Sequence, residues 1–119
     1  MTYEFKNKTK NPHFEIVTDI DPQEVFANAD QLTLIDVREN EEYNGELGHA
    51  AQTKLIVLNT LPDQIAKIPT TKPIVFICRS GGRSAQAAAL AAQRGINNTY
   101  NMRGGMLLWN QLQLPTETN

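Results

Sequence analysis

The feature that most constrains this chain is a cysteine-containing loop at residues 78–84, with the sequence Cys-Arg-Ser-Gly-Gly-Arg-Ser. An apolar run at residues 73–77 precedes the loop, and an alanine-rich segment at residues 85–92 follows it. This order predicts a buried strand, a tight loop and a helix. Such a loop points several backbone N–H groups at one place, and the helix dipole adds positive charge there, so we expect an anion site. The anion is expected to be a thiolate, or a sulfur oxyanion or phosphate beside it.

Length and composition predict one globular domain. The 119 residues are 40% hydrophobic and 20% charged, which suffices for a core without disulfides or metal. We assign residues 13–116 to this domain, residues 1–12 to a polar N-terminal arm and residues 117–119 to a C-terminal tail. The formal net charge of −2 gives no reason to expect a nucleic-acid partner. No apolar run has the length of a membrane span, so we expect no membrane association.

The chain has a single cysteine, which bears on its compartment and its cofactors. With Cys78 alone no intrachain disulfide can form, which favours a reducing compartment and predicts a cytoplasmic protein. The two histidines, His13 and His49, do not have metal-ligand spacing relative to Cys78. We therefore expect neither a metal nor another cofactor.

Segments typical of strands alternate with segments typical of helices, which predicts an α/β fold. We expect three layers, α/β/α, around a mostly parallel five-stranded sheet. Ligands bind such sheets beyond the carboxyl ends of the strands, which is where Cys78, Asp36 and a turn at Gly104 and Gly105 are expected. The strands are predicted at residues 14–17, 32–37, 54–58, 74–77 and 99–102, and the main helices at residues 22–28 and 61–68, from the loop to residue 95, and at residues 106–112.

Cys78 is the predicted nucleophile, because a thiolate is both a nucleophile and a stable carrier of sulfur. A lone cysteine after an apolar strand is more often a small buried hydrophobic residue. The segment that follows this one, Arg-Ser-Gly-Gly-Arg-Ser, has no core-packing rationale and is typical of an anion site. Gly81 and Gly82 are expected to adopt positive φ angles and to bring backbone amides near the sulfur.

The remaining loop side chains are predicted to act on the substrate or on the loop. We expect Arg79 and Arg83 to bind the oxygen atoms of an anionic donor, since a guanidinium can hold two sulfonate oxygens at once. Ser80 and Ser84 are expected either to hydrogen-bond the sulfur or to cap the helix, and for Ser84 the capping role is favoured. We include Ser80, Gly81 and Gly82 with the arginines in the substrate-binding set.

Asp36 and Arg38 lie at the carboxyl end of the near-continuous apolar run at residues 32–37 and are predicted to support the loop. They can pair with each other or with the loop, and neither has chemistry that transfer of a sulfur atom requires. We leave His49 out of the catalytic set, because a histidine in a glycine-bounded loop more often makes a backbone hydrogen bond.

Taken in order, these segments resemble the single-domain rhodaneses, a family of sulfurtransferases. The resemblance covers about residues 18–115, and each motif gains specificity from its position among the others. The matching parts are Leu-Ile-Asp-Val-Arg-Glu at residues 34–39 with Glu42 and Tyr43, then Gly48 with His49, then the loop at residues 78–84, and then Gly104 and Gly105 with Trp109. The chain departs from the family at residues 50–53 and 56–57, and the segment at residues 44–47 is longer than expected.

The resemblance implies a rhodanese-like fold and a ping-pong reaction. The cysteine thiolate would take a sulfane sulfur from thiosulfate or a persulfide donor, become a persulfide, and pass that sulfur to a thiol or to cyanide. The implied partners are a small anionic sulfur donor and a thiol or cyanide acceptor, with a protein as a possible donor or acceptor.

Two other functions compete with sulfur transfer. A cysteine phosphatase or arsenate reductase places five residues between its cysteine and arginine, whereas four separate Cys78 from Arg83 here. The smaller ring suits a sulfane sulfur better than a phosphoryl group, and no second thiol is present to resolve a reductase intermediate. A non-catalytic rhodanese-like binding or regulatory module is the second alternative, although such domains often lose the cysteine.

Overall fold

The structure is a computed structural model that describes residues 2–118. Six strands form one sheet in the order β1-β2-β6-β5-β3-β4, in which only β1 runs antiparallel to its neighbour. The strands are β1 (Lys8–Lys10), β2 (Thr18–Ile20), β3 (Thr33–Asp36), β4 (Thr53–Leu55), β5 (Ile74–Ile77) and β6 (Thr99–Met102). The α-helices are α1 (Pro22–Ala27), α2 (Asn40–Tyr43), α3 (Leu61–Gln64), α4 (Gly82–Gln93) and α5 (Gly105–Gln111). Short 3₁₀ turns occupy Ala29–Gln31, Leu58–Thr60 and Ile65–Lys67.

The sheet lies between two apolar layers, as the predicted α/β/α architecture requires. Side chains of β5 alternate between them: Ile74 and Phe76 pack with the alanines of α4, whereas Val75 and Ile77 pack with Trp109 of α5. All four of these strand residues are at most 1% exposed, which explains the continuous apolar run that predicted the strand. Cys78 continues the alternation toward α4, and this places its sulfur below the start of that helix.

The predicted count of five strands is wrong by one. The additional strand, β1, lies in the segment predicted to be an N-terminal arm, and all three of its residues are exposed. It pairs with β2 through its backbone, so its side chains carry no apolar pattern that a sequence could reveal. Met1, the first residue of that arm, lies outside the described residues.

The first predicted strand, residues 14–17, is also displaced, because β2 begins at Thr18. The side chain of Asn11 accepts hydrogen bonds from the backbone N–H groups of His13 and Phe14 at 2.8 and 3.0 Å, which folds this segment into a turn. At the other terminus, Glu117 exchanges two backbone hydrogen bonds with His49, while Asn119 of the predicted tail lies outside the described residues. Within residues 2–118 no helix is both long and apolar enough to cross a membrane.

Candidate active site

The cysteine loop connects the end of β5 to the start of α4, at the carboxyl edge of the sheet. Cys78 directly follows β5 and is 1% exposed. Gly81 is the N-cap residue of α4 and has a φ of 106°, a conformation that favours glycine. A Cβ atom on Gly81 would also approach the backbone nitrogen of Gly104 to 3.3 Å. The loop is therefore a tight turn that packs directly against the Gly104 segment.

Two groups donate hydrogen bonds toward the sulfur. The backbone N–H of Gly81 lies 3.0 Å from Cys78 Sγ, and the hydroxyl of Ser84 lies 3.1 Å from it. Ser84 is fully buried in the first turn of α4 and makes no capping hydrogen bond, since Gly81 occupies the cap position. The prediction that Ser84 caps the helix is therefore wrong. Both donors are suited to hold negative charge on the sulfur.

Helix α5 fixes the backbone of the loop from below. The N–H groups of Met106 and Leu107 donate to the carbonyls of Cys78 and Arg79, each at 2.9 Å. Gly105 makes this approach possible, because a Cβ atom there would lie 2.5 Å from backbone atoms of both Cys78 and Arg79. The turn that the sequence placed near the site is thus a structural part of it.

A series of buried polar side chains extends from the sulfur into the sheet. The Ser84 hydroxyl makes a short hydrogen bond to Asn101 Oδ1, and Asn101 Nδ2 donates to Asp19 Oδ1 at 2.9 Å. Asn11 donates to the same carboxylate oxygen, also at 2.9 Å. These side chains are at most 7% exposed. None of Asn11, Asp19 and Asn101 was identified from the sequence; the available signal was a polar residue, Asn101, in an otherwise strand-like segment.

The two arginines of the loop have different surroundings. Arg83 donates two hydrogen bonds to the carboxylate of Glu42, at 2.7 and 2.8 Å. The hydrogen bond from Arg83 holds the pKa of Glu42 at about 2, below its ordinary 4.5. The same bond raises the pKa of Arg83, and the nearby charges of Cys78 and Asp36 act in that direction too. The guanidinium that was expected to face the substrate is thus bound to a carboxylate of α2.

Arg79, in contrast, is exposed and lines a surface pocket of about 380 Å³. Within residues 2–118 it forms no salt bridge. Ser80 and Gly82 are also exposed. The prediction that Gly82 adopts a positive φ angle is wrong, because Gly82 is already the first residue of α4. The other residues that line the pocket are Arg38, Glu41, Glu42, Gly45, Glu46, Leu47 and Leu107.

Asp36 and Arg38 form a buried ion pair, with side chains 0% and 1% exposed. Arg38 Nε and a terminal guanidinium nitrogen donate to the Asp36 carboxylate at 2.9 and 2.8 Å. The remaining donors of Arg38 reach the carbonyls of Glu42 and Gly48, at 3.2 and 2.8 Å. The pair therefore holds the segment at residues 42–48, which carries Glu42, and acts on the cysteine loop through the Glu42 contact to Arg83.

His49 lies outside the immediate surroundings of the sulfur. Its ring stacks on Tyr43 with centroids 3.7 Å apart, and its Nδ1 lies 2.7 Å from the Tyr43 carbonyl oxygen. Arg103, beside the Gly104 turn, forms an ion pair with Asp21. Neither side chain is among the sulfur's hydrogen-bond partners.

The sequence of this chain is similar to those of known proteins. A family model for the rhodanese-like domain matches residues 6–112. The chain is 32% identical over 104 residues to a sulfurtransferase of Allochromatium vinosum, covering 84% of this chain and 94% of that protein. It is 31% identical over 100 residues to the thiosulfate sulfurtransferase GlpE of Pseudomonas savastanoi pv. phaseolicola, covering 83% and 92%.

Solved structures agree with these relatives. A rhodanese-related protein from Thermoplasma volcanium superimposes with a TM-score of 0.75 at 28% identity, over 82% of this chain and 94% of that one. A rhodanese-like domain protein from Staphylococcus aureus gives a TM-score of 0.70 at 26% identity, over 84% and 98%. The three-layer α/β architecture and its sheet are common to this chain and these structures.

Proposed function

The chain belongs to the rhodanese-like domain family, and on that premise we propose that it is a sulfurtransferase in which Cys78 carries sulfane sulfur as a persulfide. The observation that carries this proposal is the surroundings of the sulfur. The only cysteine of the chain lies at the base of the loop, with the Gly81 amide and the Ser84 hydroxyl both directed at it. These donors are suited to stabilise a sulfur anion in a site that is shielded from water.

The reaction consists of two displacements at sulfur. The Cys78 thiolate attacks the outer sulfur of a donor such as thiosulfate, a new S–S bond forms, and the old S–S bond breaks with its electron pair leaving on sulfite. A thiolate or cyanide then attacks the outer sulfur of the Cys78 persulfide. That S–S bond breaks, its electron pair returns to Cys78, and the acceptor leaves as a persulfide or thiocyanate. The thiolate is regenerated, and no external oxidant or reductant is needed.

The charges at the loop support a division of roles between the arginines. Arg79 is exposed and without a salt bridge within residues 2–118, so it is the loop side chain best able to bind the sulfonate oxygens of thiosulfate. Arg83 already binds Glu42, which makes it first of all an anchor between the loop and α2. A donor whose leaving group is a thiol places less demand on cationic side chains, so protein or low-molecular-weight persulfides also fit this site.

The single cysteine supports a reducing compartment, and we propose the cytoplasm.

Intact-mass measurement tests the proposal. Treatment with thiosulfate or a persulfide donor should add the mass of about one sulfur atom to the wild-type protein, and a thiol or cyanide should remove it. Cys78→Ser should gain none. If the wild type gains no sulfur from any donor, the protein is a non-catalytic module of the family. Release of phosphate from an aryl phosphate, measured in parallel, would instead support the phosphatase alternative.

A further inference from the structure

Ser84 lies between two acceptors that compete for one hydrogen atom. Its hydroxyl oxygen is 3.1 Å from Cys78 Sγ and also makes the short contact to Asn101 Oδ1. A hydroxyl group has a single hydrogen to donate, so Ser84 cannot donate to both atoms at once. Ser84 and Asn101 are 0% and 1% exposed, and water therefore does not replace whichever bond is lost. The direction in which the hydroxyl points must then depend on the charge of the sulfur.

Asp19 determines which atom of Asn101 faces Ser84. Asn101 Nδ2 donates to Asp19 Oδ1 at 2.9 Å, and an ionised carboxylate can only accept hydrogen bonds. Rotating the amide by half a turn would place its oxygen against the carboxylate oxygen, which is repulsive. Asp19 is itself held in place by Asn11. Asn101 therefore presents an acceptor, and not a donor, to Ser84.

From this geometry we propose that Asp19 and Asn101 are positioning residues that regulate the reactivity of Cys78 by competing with its sulfur for the Ser84 hydroxyl hydrogen. We call Asp19, Asn101 and Ser84 the buried polar triad. When Cys78 is a thiol, its S–H donates to Ser84 and Ser84 donates to Asn101, so every group has a partner. When the thiol loses its proton to solvent, the Ser84 hydroxyl turns to the sulfur and Asn101 Oδ1 loses its donor. No proton moves along the triad, because only the hydroxyl reorients.

The triad consequently favours the loaded state over the free thiolate. In a persulfide the negative charge resides on the outer sulfur, and Cys78 Sγ is a weak acceptor. Ser84 can then return to Asn101 Oδ1, which restores the buried hydrogen bond that the thiolate had broken. Attack of the thiolate on a donor thus recovers this bond, and release of the sulfur to an acceptor gives it up. This part of the inference depends on the proposed function, whereas the competition for Ser84 does not.

Other charged groups also face Cys78 and are left unchanged in the test. Arg83 at the start of α4 is close enough to Cys78 for their charges to interact, and Asp36 at the end of β3 acts on Arg83. Arg79 belongs to the loop itself, and Asp19 acts from β2 through Asn101. Variants confined to Ser84 and Asn101 therefore change the hydrogen bonding of the sulfur without adding or removing a charged side chain.

A double-mutant cycle, read by the pH dependence of Cys78 alkylation with iodoacetamide, tests the proposal. Ser84→Ala removes the donor, and the midpoint of the alkylation profile should move up by about one pH unit. Asn101→Leu removes the competing acceptor, and the midpoint should move down by about half to one pH unit. In Ser84→Ala/Asn101→Leu the second substitution should add no downward shift, because Asn101 acts through Ser84.

The opposite signs separate this role from a merely structural one. If Asn101→Leu moves the midpoint upward or leaves it unchanged, or moves it equally with and without Ser84, the proposal is wrong. Should the leucine variant fail to fold, as judged by circular dichroism, Asn101→Ala removes the same acceptor and should give the same downward shift. Alkylation needs no sulfur donor, so the cycle can give the expected shifts even if the wild type gains no sulfur mass. If the wild type gains sulfur mass but the cycle does not give the expected shifts, the role of the buried polar triad is rejected and the proposed function is not.

Discussion

Replacing Glu42 with glutamine tests whether Arg83 is an anchor of the loop. The substitution removes one charge from the ion pair that joins α2 to the start of α4. A glutamine oxygen can still accept the hydrogen bond from the Glu39 N–H, 3.0 Å long in the wild type, so the cap of α2 is retained. Glu41→Gln is the matched control, because it makes the same charge change one residue away on an exposed side chain.

The size of the effect follows from the ion pair. Lowering the pKa of Glu42 from 4.5 to about 2 corresponds to about 3 kcal/mol of stability for a fully buried group. The Arg83 and Glu42 side chains are 35% and 30% exposed, so screening by solvent reduces this value to about 1 kcal/mol. Because the folded-state pKa is depressed, the contribution is complete above about pH 5 and disappears as the pH falls toward 2.

Urea unfolding at pH 7 and at pH 3 measures this difference. At pH 7 we expect Glu42→Gln to unfold with about 1 kcal/mol less free energy than the wild type, and at pH 3 the difference should be clearly smaller. The released Arg83 should also lower the KM for thiosulfate by about two- to fivefold, with little change for a persulfide donor, which has no sulfonate group. An equal loss of stability at both pH values, or the same loss of stability in Glu41→Gln, would refute the assignment of Arg83 to Glu42.

Two further substitutions test how the loop is held. Gly105→Ala should cost roughly 2–4 kcal/mol in thermal or urea unfolding and reduce sulfur uptake, because its Cβ would lie 2.5 Å from the backbone of Cys78 and Arg79. Gly82→Ala, whose Cβ would meet no atom within 4 Å, should be nearly neutral, and equal losses would contradict this account. Asp36→Asn leaves Arg38 as a buried unpaired charge and should cost about 3–5 kcal/mol. A loss below about 1 kcal/mol in urea unfolding would show that the pair does not hold the 42–48 segment.

The central part of the fold could be predicted because its signals are local. Ile74–Ile77 is a strand with the predicted bounds, since burial on both faces leaves four apolar residues in succession. Thr99–Met102 is also a strand with the predicted bounds. The strand at Lys8–Lys10 had no such signal, because its side chains are exposed and backbone pairing alone holds it. The first predicted strand was misplaced because one side chain, that of Asn11, turns the backbone at Phe14.

The same distinction between local and distant residues applies to the candidate active site. The position of Cys78 and the tight turn at Gly81 follow from consecutive residues, which a motif can represent. The partners of the loop side chains do not, because Arg83 and Glu42 are 41 positions apart and Asp19 and Asn101 are 82 apart. Asn101 nevertheless left a trace, namely a polar side chain in a segment otherwise suited to a strand. A buried polar residue of this kind requires a hydrogen-bond partner, and one partner of Asn101 is Ser84.

These contacts change which side chains of the cysteine loop are available to a substrate. By composition it offers two arginines and two serines to a substrate, yet the fold binds Arg83 to α2 and directs Ser84 toward β6 as well as the sulfur. The donor and acceptor preferences of such a loop therefore depend on residues that lie on other elements. Two proteins with identical sequences at positions 78–84 should differ in thiosulfate use if one lacks the carboxylate at position 42, and in thiol reactivity if one lacks the amide at position 101. If a function is assigned to one relative from another by comparing only residues 78–84, both effects are left out.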